Sequence, residues 1–143
     1  MSYTYEYPRP AVTVDAIVFS GECDSLKVLL IQRKHAPFAG DWALPGGFLD
    51  EDEDPYRAVE RELEEETELT GLKFQPLGFW GHPGRDPRGH TVSLAFWTKI
   101  DAATVCPRAA DDAAALDWFP VRYLPRLAFD HAEILRRAFR ELD

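Results

Sequence analysis

Glu62, Glu65 and Glu66 stand at intervals of three and four, the spacing that brings side chains to one face of a helix. Like charges held that close repel, so the arrangement costs stability unless something positive binds among them. Carboxylate oxygens are hard donors of the kind Mg²⁺ or Mn²⁺ accepts, with waters and substrate phosphates completing the shell. Arg61, beside this face, is placed to hold one carboxylate by paired hydrogen bonds. A solvated acidic helix face carries the same pattern, and helix geometry alone leaves both readings open.

The acidity is local. Residues 50–68 hold eleven acids against Arg57 and Arg61, a net of −9 that equals the formal charge of the whole chain, so the remaining residues are balanced. A field of that sign repels phosphate unless cations enter it, which argues against a duplex nucleic acid partner and for divalent metal.

The elements that must position these groups follow from patterning. At 143 residues and 45% hydrophobic, the chain has the length and apolar content of one domain, residues 1–143. Residues 11–19 and 27–33 are β-branched runs separated by Gly21 and polar neighbours, which predicts two strands joined as a hairpin with a long loop. Asp54 is a helix cap with Pro55 at the first helical position, and Tyr56, Val59, Leu63, Thr67 and Thr70 then recur as a stripe expected to face the core. Residues 73–80, 91–100 and 116–119 read as further strands, 81–90 as a Gly- and Pro-rich loop, and 130–142 as a closing amphipathic helix. No run approaches the ~20 apolar residues of a membrane span, and the first residues lack the pattern of a signal peptide, so a cytoplasmic location without a membrane partner is expected. Cys23 and Cys106 are expected to be reduced, partly buried thiols.

Spacing beyond the helix adds a resemblance. Gly47, Glu53 and the run Arg61-Glu62-Leu63-Glu64-Glu65-Glu66-Thr67-Glu68-Leu69 resemble the Nudix box, G-x5-E-x7-R-E-U-x-E-E-x-G-U with U a bulky aliphatic residue. Every specified position matches except Glu68, where the family has Gly near the helix end, a site that favours a left-handed backbone. The preceding Trp42-Ala43-Leu44-Pro45-Gly46-Gly47 is similar to the family's lead-in segment. The resemblance implies an α/β fold, an α/β/α sandwich around a mixed β-sheet, and hydrolysis of a nucleoside diphosphate linked to another group. It implies Glu62, Glu65 and Glu66 as metal ligands with the Gly46 carbonyl beside them, Arg61 and Glu53 as an orienting ion pair, and Mg²⁺, with Mn²⁺ as a substitute. Such ions neutralise a pyrophosphate and lower the pKa of the attacking water. For the general base, Glu65 or Glu53 is expected first, with Asp112 in support; Asp111 and Asp112 read equally well as turn residues.

Arg85 and Arg88 lie where guanidinium and backbone can both approach an anion. The run from Arg85 to His90, together with Phe129-Asp130-His131-Ala132, resembles the family branch that handles ADP-ribose. The residues expected to meet substrate are Arg85, Arg88, His90 and Trp42, the last as a stacking face for a purine, with Trp80 and Phe38 as further aromatic candidates. Trp97 and Trp118 are assigned to the core. The partner implied is a small nucleoside diphosphate derivative, and a homodimer is common among the resembling enzymes. Two alternatives stand beside ADP-ribose hydrolysis: action on an oxidised nucleotide or a dinucleotide, and a non-catalytic ADP-ribose sensor.

Overall fold

A computed structural model describes residues 3–142 and shows an α/β/α sandwich around a mixed sheet of seven strands. The strands are β1 (Ala11–Ser20), β2 (Lys27–Arg33), β3 (Trp42–Ala43), β4 (Gly46–Phe48), β5 (Gln75–Trp80), β6 (Thr91–Ile100) and β7 (Ala113–Pro120), with helices α1 (Pro55–Thr67) and α2 (His131–Glu141). β1 is central. It runs parallel to β6 along its length, while its other edge is shared by β4 at one end and β2 at the other, both antiparallel.

Period-two alternation along β1 sorts the core into two layers. Val14, Ala16 and Val18 face α1 and meet Ala58, Val59 and Leu63, whereas Ile17 and Phe19 face α2 and meet Ile134, Leu135 and Ala138. Asp15 shares the α2-side parity, a charged residue in an otherwise apolar strand, and it is buried.

α1 begins as expected, with the Asp54 carboxylate accepting the Tyr56 N–H at 2.8 Å and Pro55 in the first turn. Its inner stripe holds Val59, Leu63 and Thr67, but Tyr56 is about half-exposed and Thr70 lies beyond the helix and is exposed. The helix stops three residues before Thr70 because Glu68 turns left-handed, at φ 64° and ψ 10°.

Other expectations shift at the edges. β1 and β2 pair at only two positions, since β1 gives the rest of that edge to β4 while β2 takes β3 beyond and β7 along its opposite edge. β7 therefore runs longer than 116–119, and β5 starts at Gln75 instead of residue 73. Both cysteines are free and exposed, not partly buried. Among the described residues, no helix is long and apolar enough to cross a membrane.

Candidate active site

The carboxylate face of α1 is organised around Arg61. Its guanidinium binds Glu53 through Nε at 2.7 Å and Nη2 at 2.9 Å, and Nη1 reaches Glu62 at 3.0 Å and Glu65 at 3.1 Å. Nη2 also donates to the Phe48 carbonyl at 3.1 Å. One cation thus ties α1 to the loop before it and to β4. Hydrogen bonds from Arg61 and the Asp50 N–H hold the Glu53 carboxyl down at about 2. A group that binds protons so weakly is a poor base near neutral pH, and the Glu53 geometry is that of an orienting partner.

Glu66 behaves oppositely. It is buried, its Oε1 accepts the Gly46 N–H at 2.7 Å, and its carboxyl is pushed up to about 8. Burial is the main cause; the Gly46 N–H opposes it, and the Glu62, Asp15 and Asp112 carboxylates add to it. Burial likewise raises Glu62, against the pull of Arg61. A carboxyl that pays this much to ionise gains from a cation brought beside it.

The two glycines before the box are needed for close approach. A Cβ on Gly47 would lie 2.6 Å from the Glu62 carboxyl, and one on Gly46 would lie 2.1 Å from the Val14 carbonyl oxygen. Gly46 sends its N–H to Glu66 instead of β1. Because N–H and C=O of one strand residue leave on the same edge, its carbonyl is free of the β1 ladder too. The hard-oxygen donors Glu62, Glu66 and the Gly46 carbonyl fit a divalent cation such as Mg²⁺. Among the described residues, no three acidic, His or Cys side chains converge into a finished cage. Arg61 holds both Glu62 and Glu65 through Nη1, and of the two only Glu62 lines the cleft.

Beside this face lies a cleft of about 420 Å³. Its lining combines the carboxylates Asp50, Glu62, Glu66 and Asp112 with the cations Arg33, Lys34 and Arg88 and the rings of Phe48 and Phe129. The Arg88 guanidinium sits 4.9 Å from the Phe48 ring centre and 5.4 Å from that of Phe129, while Arg33 lies 5.1 Å from Phe129. Arg88 is braced by Asp86, which accepts its N–H and its guanidinium. Burial works against the Asp86 charge, yet those bonds hold its carboxyl below the usual range.

The expected site residues divide accordingly. Gly46, Glu62, Glu66, Arg88 and Asp112 line the cleft, with Asp112 largely exposed. Arg85 lines it as well, but its guanidinium is buried and bound to both Asp130 oxygens, at 2.8 and 2.6 Å, so it anchors the loop to α2 and is not an open anion receptor. Glu65 turns toward Arg61 and is outside the lining. Trp42 packs edge-on against Phe119 at 4.7 Å in the core, because β3 pairs with β2 and turns that ring inward. His90 bonds the Gly81 carbonyl at 3.1 Å, closing its own loop. Neither borders the cleft. The sequence singled out none of Phe48, Arg33 and Asp15, and it marked Phe129 and His131 only as part of the segment resembling the ADP-ribose branch, without a role for either. For Asp15 a signal existed, a lone charge inside an apolar strand.

The model of the NUDIX domain matches residues 9–141. The chain belongs to the Nudix family. It is 44% identical to the ADP-ribose pyrophosphatase of Methanocaldococcus jannaschii over 91% of this chain and 73% of that enzyme. It is 32% identical to the ADPR-responsive transcriptional repressor NtrR of Acinetobacter baylyi over 96% of this chain, but spans only 56% of the repressor. Among solved structures, the NUDIX domain of Shewanella oneidensis NrtR complexed with ADP ribose superposes with a TM-score of 0.88 at 32% identity, covering 96% of this chain and 91% of that one. The Nudix helix–loop unit is therefore α1 with the segment before it, and the cleft is bounded by that unit, the 81–90 loop and the start of α2.

Proposed function

We propose that this Nudix protein is a divalent-metal-dependent hydrolase that cleaves the pyrophosphate of ADP-ribose, adding water to give AMP and ribose 5-phosphate. The lining of the cleft carries the reading. Its carboxylates suit a metal-bridged diphosphate, and its aromatic rings and Arg88 guanidinium suit a purine and a sugar phosphate. The ADP-ribose relatives named above support the substrate class.

Mg²⁺ bound at Glu62, Glu66 and the Gly46 carbonyl would supply charge neutralisation and a lower pKa for the attacking water. The chain's own residues do the rest. Arg61 fixes the carboxylates, with Glu53 holding Arg61 in turn. Asp112, which lines the cleft, is the proton acceptor for the incoming water, and Glu65, held on Arg61, would serve only once released from it. Phe48 and Phe129 offer faces to the base.

Similarity to an ADPR-responsive repressor gives a second reading, binding without turnover. A panel of kcat/KM values decides. ADP-ribose should exceed nucleoside triphosphates and dinucleotides by at least about tenfold, the discrimination one well-placed contact supplies. Comparable values across the panel would remove ADP-ribose as the substrate, and tight ADP-ribose binding without product would establish the sensor.

A further inference from the structure

We propose that His131 is a positioning residue, which fixes the backbone around Gly46 and so sets the carboxylates of the cleft. The inference deepens the proposed function and rests on it for the identity of the site.

His131 opens α2 and is buried. Its Nδ1 accepts the Leu44 N–H at 3.0 Å, so the ring proton lies on Nε2, which faces Asp15 Oδ1 at 3.5 Å. Burial lowers the His131 pKa, keeping the ring neutral and Nδ1 free to accept. Leu44 stands two residues before Gly46. Asp15 is the partner of Gly46 across the β1–β4 ladder, and a Cβ on Gly46 would meet its Oδ1 at 2.7 Å. The other Asp15 oxygen accepts the Ser93 hydroxyl from β6. One ring thus contacts both the residue two before Gly46 and the cross-strand partner of Gly46, whose N–H reaches Glu66.

Apolar side chains could join β1 to α2 without the desolvation cost of a buried His–Asp pair. What they could not supply is a directed acceptor for the Leu44 N–H. The adjoining residues reinforce the point, since Asp130 binds Arg85 of the 81–90 loop and Phe129 forms a wall of the cleft. Three consecutive residues therefore hold three parts of one site.

Two substitutions separate the contacts. His131→Asn places an amide oxygen near the Nδ1 position and keeps an acceptor for Leu44, whereas His131→Gln reaches toward Asp15 and loses that acceptor. The readouts are Mn²⁺ affinity by electron paramagnetic resonance, hydrogen exchange of the Leu44 amide, melting temperature, and the kcat–KM split with ADP-ribose. His131→Gln should weaken Mn²⁺ binding by about tenfold or more, the scale for residues that orient ligands from behind, and speed Leu44 exchange. It should lower kcat while KM stays nearly constant. His131→Asn should stay within about threefold of the native protein, a conservative rescue. If His131→Gln does not fold, Asp15→Asn should weaken Mn²⁺ binding in the same direction. Native Mn²⁺ affinity in both His131→Gln and Asp15→Asn, or equal losses in the Asn and Gln variants that track melting temperature alone, would overturn the proposal. Mn²⁺ binding and Leu44 exchange do not require turnover, so failure to hydrolyse ADP-ribose would strike only the functional reading.

Discussion

At the scale of the residue, the site is built on the contrast between two carboxyls of similar sequence context. Glu53 is held at about 2 by Arg61, and Glu66 is raised to about 8 by burial. The first difference has a measurable consequence for stability. A folded-state pKa below the ordinary value of ~4.3 contributes stability that is complete above that value and is lost as pH falls toward 2. Glu53→Gln should therefore melt below the native protein at pH 7, and the gap should close between about pH 4 and 2, as followed by thermal melts across that range. A gap independent of pH would mean that the Glu53 charge is not what Arg61 uses. The glutamates and Arg61 were legible because their spacing is local to one helix. The roles of Phe48, Phe129, Asp15 and His131 were not, since each comes from a contact across the fold. His131 is 87 residues from the amide it binds.

At the scale of the element, α1 shows local rules holding through to an unfavourable last residue. The Asp54 cap, the Pro55 start and the Val59–Leu63–Thr67 stripe agree with one another, and Glu68 then closes the helix with its N–H donating to the Glu64 carbonyl at 2.8 Å. A left-handed backbone at a residue with a Cβ costs roughly 1 kcal/mol, which glycine avoids. Glu68→Gly should raise the melting temperature by about 3 °C. No change, or a decrease, would show that the Glu68 side chain repays the strain. The departure from the box was visible in the sequence as a wrong residue type, and the structure shows that it leaves the helix end in place. Strand limits were less legible. β7 exceeds its apolar run because β2 offers a long edge, and Trp42 points inward because β3 pairs with β2. Pairing partners decide such limits, and they are remote in sequence.

At the scale of the whole molecule, two layers of helix on one sheet bring the acidic helix face and the braced 81–90 loop to one cleft. The buried Arg85–Asp130 pair holds that loop to α2. Removing one partner of such a pair strands a buried charge, so Asp130→Asn should destabilise by about 3 kcal/mol and raise KM for ADP-ribose, as read by denaturant melts and initial rates. Unchanged stability would show that the loop is held by other means. The sandwich itself was readable from strand and helix periodicity together with the box. The cleft was not, because its basic and aromatic lining comes from β2, β4, the 81–90 loop and the start of α2. Metal-dependent hydrolysis of ADP-ribose at the Glu62–Glu66 face is tested by product formation from ADP-ribose with and without Mg²⁺, comparing the native protein with Glu66→Gln. We expect AMP and ribose 5-phosphate in equal amounts, only with metal, and a loss of at least about 100-fold in Glu66→Gln, more than residues behind a ligand usually cost, with an unchanged fold by circular dichroism. AMP release by a well-folded Glu66→Gln at the native rate, or no AMP from the native protein with Mg²⁺, would contradict the account.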